Sequence, residues 1–551
     1  MFRGSVSYVT GTHSFKVGFN TRHGEESHGV SFLNNPLRYE FATPEFPFAV
    51  TQFGTPRNSH HISNDLGIYA QDQWTIDRLT LNLGVRYDHI NAYYPDQSHP
   101  GDLALEHFGA SATRFVPAFD VARRDNVPNY HDIVPRLGAA YDLFGDGRTA
   151  IKATLGKYVL PVGTSIAEEV NPLNALQLET RRRWYDLPFQ GGNGNFVPDC
   201  NFDNFDANGE CGPIEDPQFG RPDRTQRFAP NVLEGWGTRG YQWQTSVSLQ
   251  QELAQGWSVE VGYFRTWYRN HIAADNQLIG PDDFDPYYIV APEDPRLGGL
   301  SGQRLDGLYT ITPEALARGR DNLVMLAKDL PGGDVMGQWF NGVDFTFNGR
   351  LDNGVTLGGG VSTGSLSFNE CFVIDNPQQA RPGYCDVRTP WSAGTQVKFN
   401  GAVPLPYDTQ VSFVFQNLAG RPWESLYQAG QNPVERALIE EQLGRPMAVS
   451  QEEIQLFPAG NGTGEVTLGS TFNFTGSTFY EKRLSQLDLR FTKIFHVGNA
   501  RIRGWFDIFN VFNHVSATNL VANYSAPGLP YPRVAQVMGG RLLKFGGQFD
   551  F

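Results

Sequence analysis

Arg541-Leu542-Leu543-Lys544-Phe545-Gly546-Gly547-Gln548-Phe549-Asp550-Phe551 is the stretch from which the fold is read. At period two, one set of positions is Leu543, Phe545, Gly547, Phe549 and Phe551, and the other is Leu542, Lys544, Gly546, Gln548 and Asp550. A strand sends alternate side chains to opposite faces, so one face is apolar and aromatic and the other mostly polar or small. At the end of a soluble sheet such a strand is an uncovered, aggregation-prone edge. In a closed membrane barrel it has lipid on one side and a wet lumen on the other, with every backbone group paired. The pattern favours the barrel over an ordinary terminal strand of a soluble β-protein.

Composition points the same way. The 551 residues include 60 Gly, 40 Phe, 22 Tyr and 10 Trp but only 5 Met and 4 Cys. Aromatics suit strands and interfacial girdles, and glycine suits turns and crowded barrel walls. Length alone would allow roughly three or four ordinary domains, but this composition favours one large β-structure. Mean hydropathy is −0.37, and no apolar run reaches the roughly 18 residues of a spanning helix. A helical membrane protein is thereby excluded and a barrel is not. The net charge of −14 argues against a basic groove, so no nucleic-acid partner is expected. Met1-Phe2-Arg3-Gly4-Ser5-Val6 enters strand-like sequence without a charged start and apolar core. An outer-membrane protein must be exported, so the expectation is that residues 1–551 are a piece of a longer chain.

The alternation recurs along the chain. Phe15, Val17 and Phe19 face one way, and Lys16, Gly18 and Asn20 the other. In Leu79 to Asp88 the apolar face is Leu79, Leu81, Leu83, Val85 and Tyr87, and Ile76-Asp77-Arg78 turns back to Gly67–Trp74. Ten alternating residues match a tilted membrane strand and exceed the usual soluble length. Further hairpins are read at Pro135–Leu143 with Arg148–Tyr158, Ser246–Glu252 with Ser258–Trp267, and Val343–Arg350 with Val355–Thr363. Two more pair Gln396–Ala402 with Thr409–Gln416 and Leu487–Ile494 with Arg501–Asn510, the last through Val497-Gly498-Asn499-Ala500. Asp146-Gly147 predicts a type I′ turn, whose two central residues need positive φ. Between hairpins, segments 159–241, 268–338 and 417–483 are long, polar and rich in Pro and Gly. Short turns at one end and long loops at the other predict periplasmic turns and extracellular loops. Thr312-Pro313 and Asn432-Pro433 predict helix starts, the second helix ending at Gly444.

Ile68-Tyr69-Ala70-Gln71-Asp72-Gln73-Trp74 followed by Leu79-Thr80-Leu81-Asn82-Leu83-Gly84-Val85-Arg86-Tyr87 resembles the paired strands of TonB-dependent receptors. The matching positions are Gln71, Asp72, Trp74, Gly84, Arg86 and Tyr87. Pro135-Arg136-Leu137-Gly138 resembles the family's next hairpin, carried by Pro135, Arg136 and Gly138. Phe506-Asp507-Ile508-Phe509-Asn510-Val511-Phe512-Asn513 resembles its penultimate strand. Phe545, Phe549 and Phe551 resemble the C-terminal signal that the barrel-insertion machinery reads. The cysteine loops, with Lys398-Phe399-Asn400-Gly401 and Pro404-Leu405-Pro406-Tyr407, resemble the Oar-like subgroup, which has a carboxypeptidase-regulatory-like N-terminal domain.

The resemblance implies an all-β, antiparallel transmembrane barrel, the C-terminal part of a 22-stranded wall around a plug. It implies a place in the bacterial cell outer membrane among lipid and lipopolysaccharide, and uptake of a bulky extracellular nutrient (siderophore, glycan or peptide) driven by the TonB complex. An Oar-like structural or adhesive surface protein without transport is the alternative. About fifteen candidate strands are seen in residues 1–551, and nothing there resembles the plug, the TonB-binding segment or the extra N-terminal domain. A smaller barrel closing with fewer strands is the alternative to a piece of the larger one.

Candidate chemistry is sparse, and neither an enzyme nor a cofactor is expected. Cys200 with Cys211, and Cys371 with Cys385, are two nearby pairs in polar loops and read as local disulfides rather than metal ligands or free thiols. Each closure would stabilise its loop by about 3 kcal/mol in the chain-entropy model. The carboxylates from Asp199 to Glu210 lack calcium-loop spacing and read as a solvated acidic loop, so no metal site is assigned. Gly360-Val361-Ser362-Thr363-Gly364 matches a nucleophile-elbow pattern but runs on as strand, not helix. His60-His61 and Arg181-Arg182-Arg183 are loop clusters with the chemistry to touch ligand or lipopolysaccharide phosphate, and surface solvation is the favoured reading of each. Trp184-Tyr185, Trp236, Tyr287-Tyr288 and Trp423 are candidates for ligand contact or for an interfacial aromatic belt.

Overall fold

Period-two alternation becomes one long antiparallel meander. The computed structural model describes residues 1–551 except 31–36, 55–56, 100–117, 217–218, 221–225, 423–424, 457–465, 468–472, 475–479, 499, 522–523 and 525–532. Its main sheet has seventeen strands, two of which, Glu234–Trp236 and Asp386–Arg388, are three-residue additions. The other fifteen follow one another in chain order. They are β1 (Phe2–Thr10), β2 (His13–Val30), β3 (Arg57–Ile76), β4 (Leu79–Tyr93) and β5 (Asn129–Asp142). Next come β6 (Thr149–Val159), β7 (Tyr241–Ala254), β8 (Trp257–Arg269), β9 (Gly337–Arg350) and β10 (Thr356–Asn369). The last five are β11 (Gln396–Leu405), β12 (Thr409–Leu418), β13 (Leu484–Val497), β14 (Ala500–Phe509) and β15 (Leu542–Asp550). Each pairs antiparallel with the next, and among the described residues β1 and β15 are not paired with each other.

Register shows why the alternation matters. Leu79, Tyr141, Ile151, Leu249, Val261, Phe345, Val361 and Val397 occupy one cross-strand row over eight successive strands. No protein layer covers them: Leu249 is 46%, Val261 47% and Phe345 41% exposed. At β15 the row residues Leu543 and Phe545 lie beside Ile508 and Phe506. The opposite face is polar and internally bonded. Thr154 and Ser246 hydroxyls lie 2.6 Å apart, Gln416 donates to Gln486 at 2.9 Å, and Arg490 holds Asp507 at 2.6 and 2.9 Å. Aromatics mark both rims of the apolar band. Trp243, Trp267 and Trp339 form one row toward the long loops, and Trp74 lies near the short turns.

The dry core is in the loops. Leu297, Leu300, Leu305, Leu308, Ile439, Ile454 and Leu456 bury together, joining segments 268–338 and 417–483. A second cluster gathers Ala92, Tyr94, Val121, Val127, Leu173 and Leu233 at the same end. The long connections between wall strands, polar as they are, carry small sheets. Phe46–Phe53 pairs with Leu37–Thr43 and Glu179–Trp184, and Phe284–Val290 pairs with Arg304–Ile311. Their polar stretches hid short alternations that only packing stabilises. β2 and β3, with 18 and 20 residues, also exceed the roughly 9–11 that a bilayer needs, so their upper halves rise into the loop crown.

Both predicted helices form. Thr312 accepts from Ala315 N before Pro313–Arg318, and Asn432 accepts from Val434 N before Pro433–Leu443, which ends at left-handed Gly444 (φ 66°). The Asp146-Gly147 turn differs from expectation. Gly145 and Gly147 take φ of 79° and 74°, and Asp146 does not become positive. The Asp142 carboxylate accepts from both glycine amides at 2.9 Å, which holds a wider loop than a two-residue turn. The connector at Asn499 lies outside the described residues.

An outward face bathed in hydrocarbon makes a clear demand. Val261→Arg should lower folding stability by roughly 2–4 kcal/mol, and the inward Thr346→Lys should stay within about 0.5 kcal/mol. Urea titration of folding into phosphatidylcholine vesicles measures both.

Candidate functional site

The family-motif residues divide by parity between the two faces of β3, β4 and β5. Gln71, Gly84, Arg86, Arg136 and Gly138 point inward, and Asp72, Trp74, Tyr87 and Pro135 lie on the apolar rows. Gln71, Gly84, Arg86 and Arg136, with Lys16, Gln73 and Asn82, border a depression of about 410 Å³ on the inward face of the wall. Arg86 donates to Asp88 at 2.6 Å and lies against Gly67, where a Cβ would push its guanidinium away. The Arg136 guanidinium stacks on Tyr158 at 4.7 Å. On the outward side His13 bonds Asp72 at 2.7 Å and stacks on Trp74 at 5.1 Å. Pro135 stands where the β5–β6 ladder ends at Arg136–Gly156. Above it Glu234–Trp236 pairs with β5 instead, so the missing N–H falls where pairing changes partner.

Several sequence candidates sit differently from expectation. Neither His60-His61 nor Arg181–Arg183 is a loop, since they belong to β3 and to strand Glu179–Trp184. His61 and Arg182 are fully buried. Arg182 is not solvated: it donates to the carbonyls of Gly212, Asn204 and Asp206 at 2.8, 3.0 and 2.8 Å. Trp184 and Tyr287 are buried too, which removes them from ligand contact, and Trp236 remains 67% exposed. Trp423 lies outside the described residues. The acidic loop is partly internal, because buried Glu210 accepts from Trp184 Nε1 at 3.3 Å and Asn193 N at 3.0 Å. Ser362 lies mid-strand between Asp344 and Gln396, in extended backbone that cannot make a nucleophile elbow. Cys200 is joined to Cys211, and Cys371 to Cys385.

Sequence reading missed Glu26, His28 and Glu168, whose ligand atoms lie within 4.8 Å of one another. His28 Nε2 is 3.0 Å from Glu26 and 3.5 Å from Glu168, an arrangement that ion pairing explains. The Thr164 hydroxyl and His28 hold the Glu26 carboxyl below its usual range. Glu168 lies 140 positions after His28 along the chain, so no spacing motif could announce the group.

Two larger clefts open at the long-loop end. One, about 1010 Å³, lies between Phe284–Val290 and helix Pro433–Leu443. Tyr288, Tyr427 and Tyr524 line it with Gln428, Gln431, Glu435 and Gln442, and Val434 and Leu438 are exposed there. Burial raises the Glu435 carboxyl, which accepts from the Tyr427 hydroxyl at 3.1 Å. The other, about 1040 Å³, is bordered by Tyr94, Glu168, Asn174, Gln226 and Arg227. Aromatic faces, amides and carboxylates suit binding of a bulky polar molecule.

Residues 1–359 match the family model described as "Outer membrane beta barrel domain". The chain belongs to that family. It is therefore a protein of the bacterial outer membrane. No curated protein matches this outer-membrane barrel. It is similar to the unliganded ferric citrate transporter FecA at 12% identity and TM-score 0.44, covering 100% of this chain and 53% of that one. The ferric-catecholate import receptor Fiu from E. coli K12 gives 11% and 0.42, covering 98% and 55%. The ferric yersiniabactin uptake receptor FyuA from Yersinia pestis gives 11% and 0.40, covering 99% and 56%. The barrel chain spans about half the length of these structures.

One loop of the barrel has a pH-dependent carboxyl. Asp375, between the second pair of cysteines, accepts from the Asn276 amide at 3.2 Å. Burial pushes it up to about 6 against the opposing effect of that amide. A raised carboxyl binds its proton more tightly folded than unfolded. Loop stability is then greatest below about pH 4 and declines to a lower plateau above the folded value. Asp375→Asn should flatten this profile, read as the hydrogen-exchange protection factor of the Asn276 amide between about pH 4 and 7.

Proposed function

We propose that this chain is the barrel portion of a TonB-dependent outer-membrane receptor that binds a bulky nutrient, siderophore, glycan or peptide, and passes it inward. One observation carries the reading: a polar lumen wall holding Gln71, Arg86 and Arg136 stands beneath a packed loop crown with two clefts of about 1010 and 1040 Å³. The protein's work on this reading is binding and conduction, not covalent chemistry. Phe545, Phe549 and Phe551 serve the barrel-insertion machinery, Phe545 and Phe549 being 76% and 57% exposed on the edge strand and Phe551 exposed directly after it. On this reading a plug and a TonB-binding segment complete the receptor.

Strand parity supports a larger wall. Fifteen alternating strands leave β1 and β15 running the same way. Joining them directly needs a parallel seam, whereas single-chain bacterial barrels are antiparallel with an even strand count. An odd number of further strands restores the alternation.

Cells carrying the intact gene should accumulate a labelled ferric siderophore, oligosaccharide or oligopeptide, and lose that uptake when TonB is deleted. Equal accumulation of all three with and without the gene would sink the receptor reading and leave the Oar-like surface role.

A further inference from the structure

We propose that Arg265 and Asn341 form a binding site, on the outside of the wall, for the phosphate of a phosphorylated lipid in the outer leaflet. The inference rests on membership of the outer-membrane family and not on the transport reading.

Register puts Arg265 on the lipid face. It shares a cross-strand row with Leu155, Thr245, Asn341 and Ser365. Two residues toward the short turns the same face is Val247, Tyr263 and Val343, and two residues toward the loops it is Trp243, Trp267 and Trp339. A row of three tryptophans marks the boundary between hydrocarbon and headgroups. Arg265 therefore lies just inside the outer rim of the apolar band.

Three other charged side chains on the outward rows have partners within the protein. Asp72 is bonded by His13 at 2.7 Å, Lys157 is 4.0 Å from Asp132, and Lys493 donates to the Tyr407 carbonyl. Arg265 has no hydrogen bond or ion pair with any described residue, and its one aromatic neighbour is the Trp267 ring at 5.9 Å. A guanidinium cannot shed its charge, and a lipid-facing cation needs an anion or a route to water.

The surroundings select an anion. The Tyr263 hydroxyl donates to Asn341 Oδ1 at 2.8 Å, so the Asn341 amide has its NH2 group left as a donor beside Arg265. No carboxylate occupies this row or the rows directly above and below it on β7, β8 and β9. Arg269, exposed and on the same face, extends the basic strip about 13 Å further out at ~3.3 Å per residue. The anionic group at that depth is a lipid phosphate, which the planar guanidinium fork holds through paired N–H donors.

The test takes the detergent-extracted full chain, delipidated and mixed with micelles carrying either monophosphorylated lipid A or its dephosphorylated form. Native mass spectrometry counts the lipid retained. Wild type should hold the phosphorylated form, Arg265→Gln should hold it roughly tenfold more weakly, and Arg350→Gln at the opposite rim should match wild type. Should Arg265→Gln fail to fold, Asn341→Leu carries the same expectation. Equal retention by Arg265→Gln and wild type, or equal retention of the two lipids, overturns the proposal. Loss of lipid to competing inorganic phosphate would also overturn it, since the site would then be one for free anion.

Discussion

Backbone N–H and C=O groups in hydrocarbon have no water to bond, so each must find a partner on a neighbouring strand. The continuous ladder from β1 to β15 meets that demand for every strand between them, leaving only the outer edges of β1 and β15 unpaired among the described residues. Once the ladder exists, side chains can only go outward or inward, and every later feature follows from that division. Leu249, Val261 and Phe345 go to lipid, and Lys152, Ser246 and Thr346 go to the lumen. A one-residue slip in any strand would exchange the two sets.

Hydrophobic packing is consequently used in two different ways. The wall has no interior of its own and relies on the bilayer to cover its apolar rows. The loop crown behaves as an ordinary protein, with Leu300, Leu308 and Ile439 fully or almost fully buried. Local disulfides and internal hydrogen bonds, such as Arg182 with three carbonyls, tie the crown together. The two large clefts lie within this crown, at the long-loop end of the wall.

Charge placement follows the same division. On the lumen side Arg490 and Asp507 satisfy each other, and on the lipid side Asp72 is matched by His13 beneath Trp74. Arg265 departs from this pattern, and its position beside the tryptophan row makes the surrounding leaflet the source of its counterion.

Parity was legible in residues 541–551 and 79–88 alone, because side-chain direction in a strand depends on backbone geometry and not on neighbours. So were the helix starts at Thr312 and Asn432, where the capping side chain bonds within three residues. Local sequence therefore determined the fold class, the two faces and the membrane setting. What lay beyond it were contacts between distant segments. The burial of His61, Arg182 and Trp184, the meeting of Glu26 with Glu168, and the union of 268–338 with 417–483 each join residues whose chain separation carries no pattern. Only the tertiary structure decided those, since a polar loop residue is solvated or buried according to what the other loops bring against it.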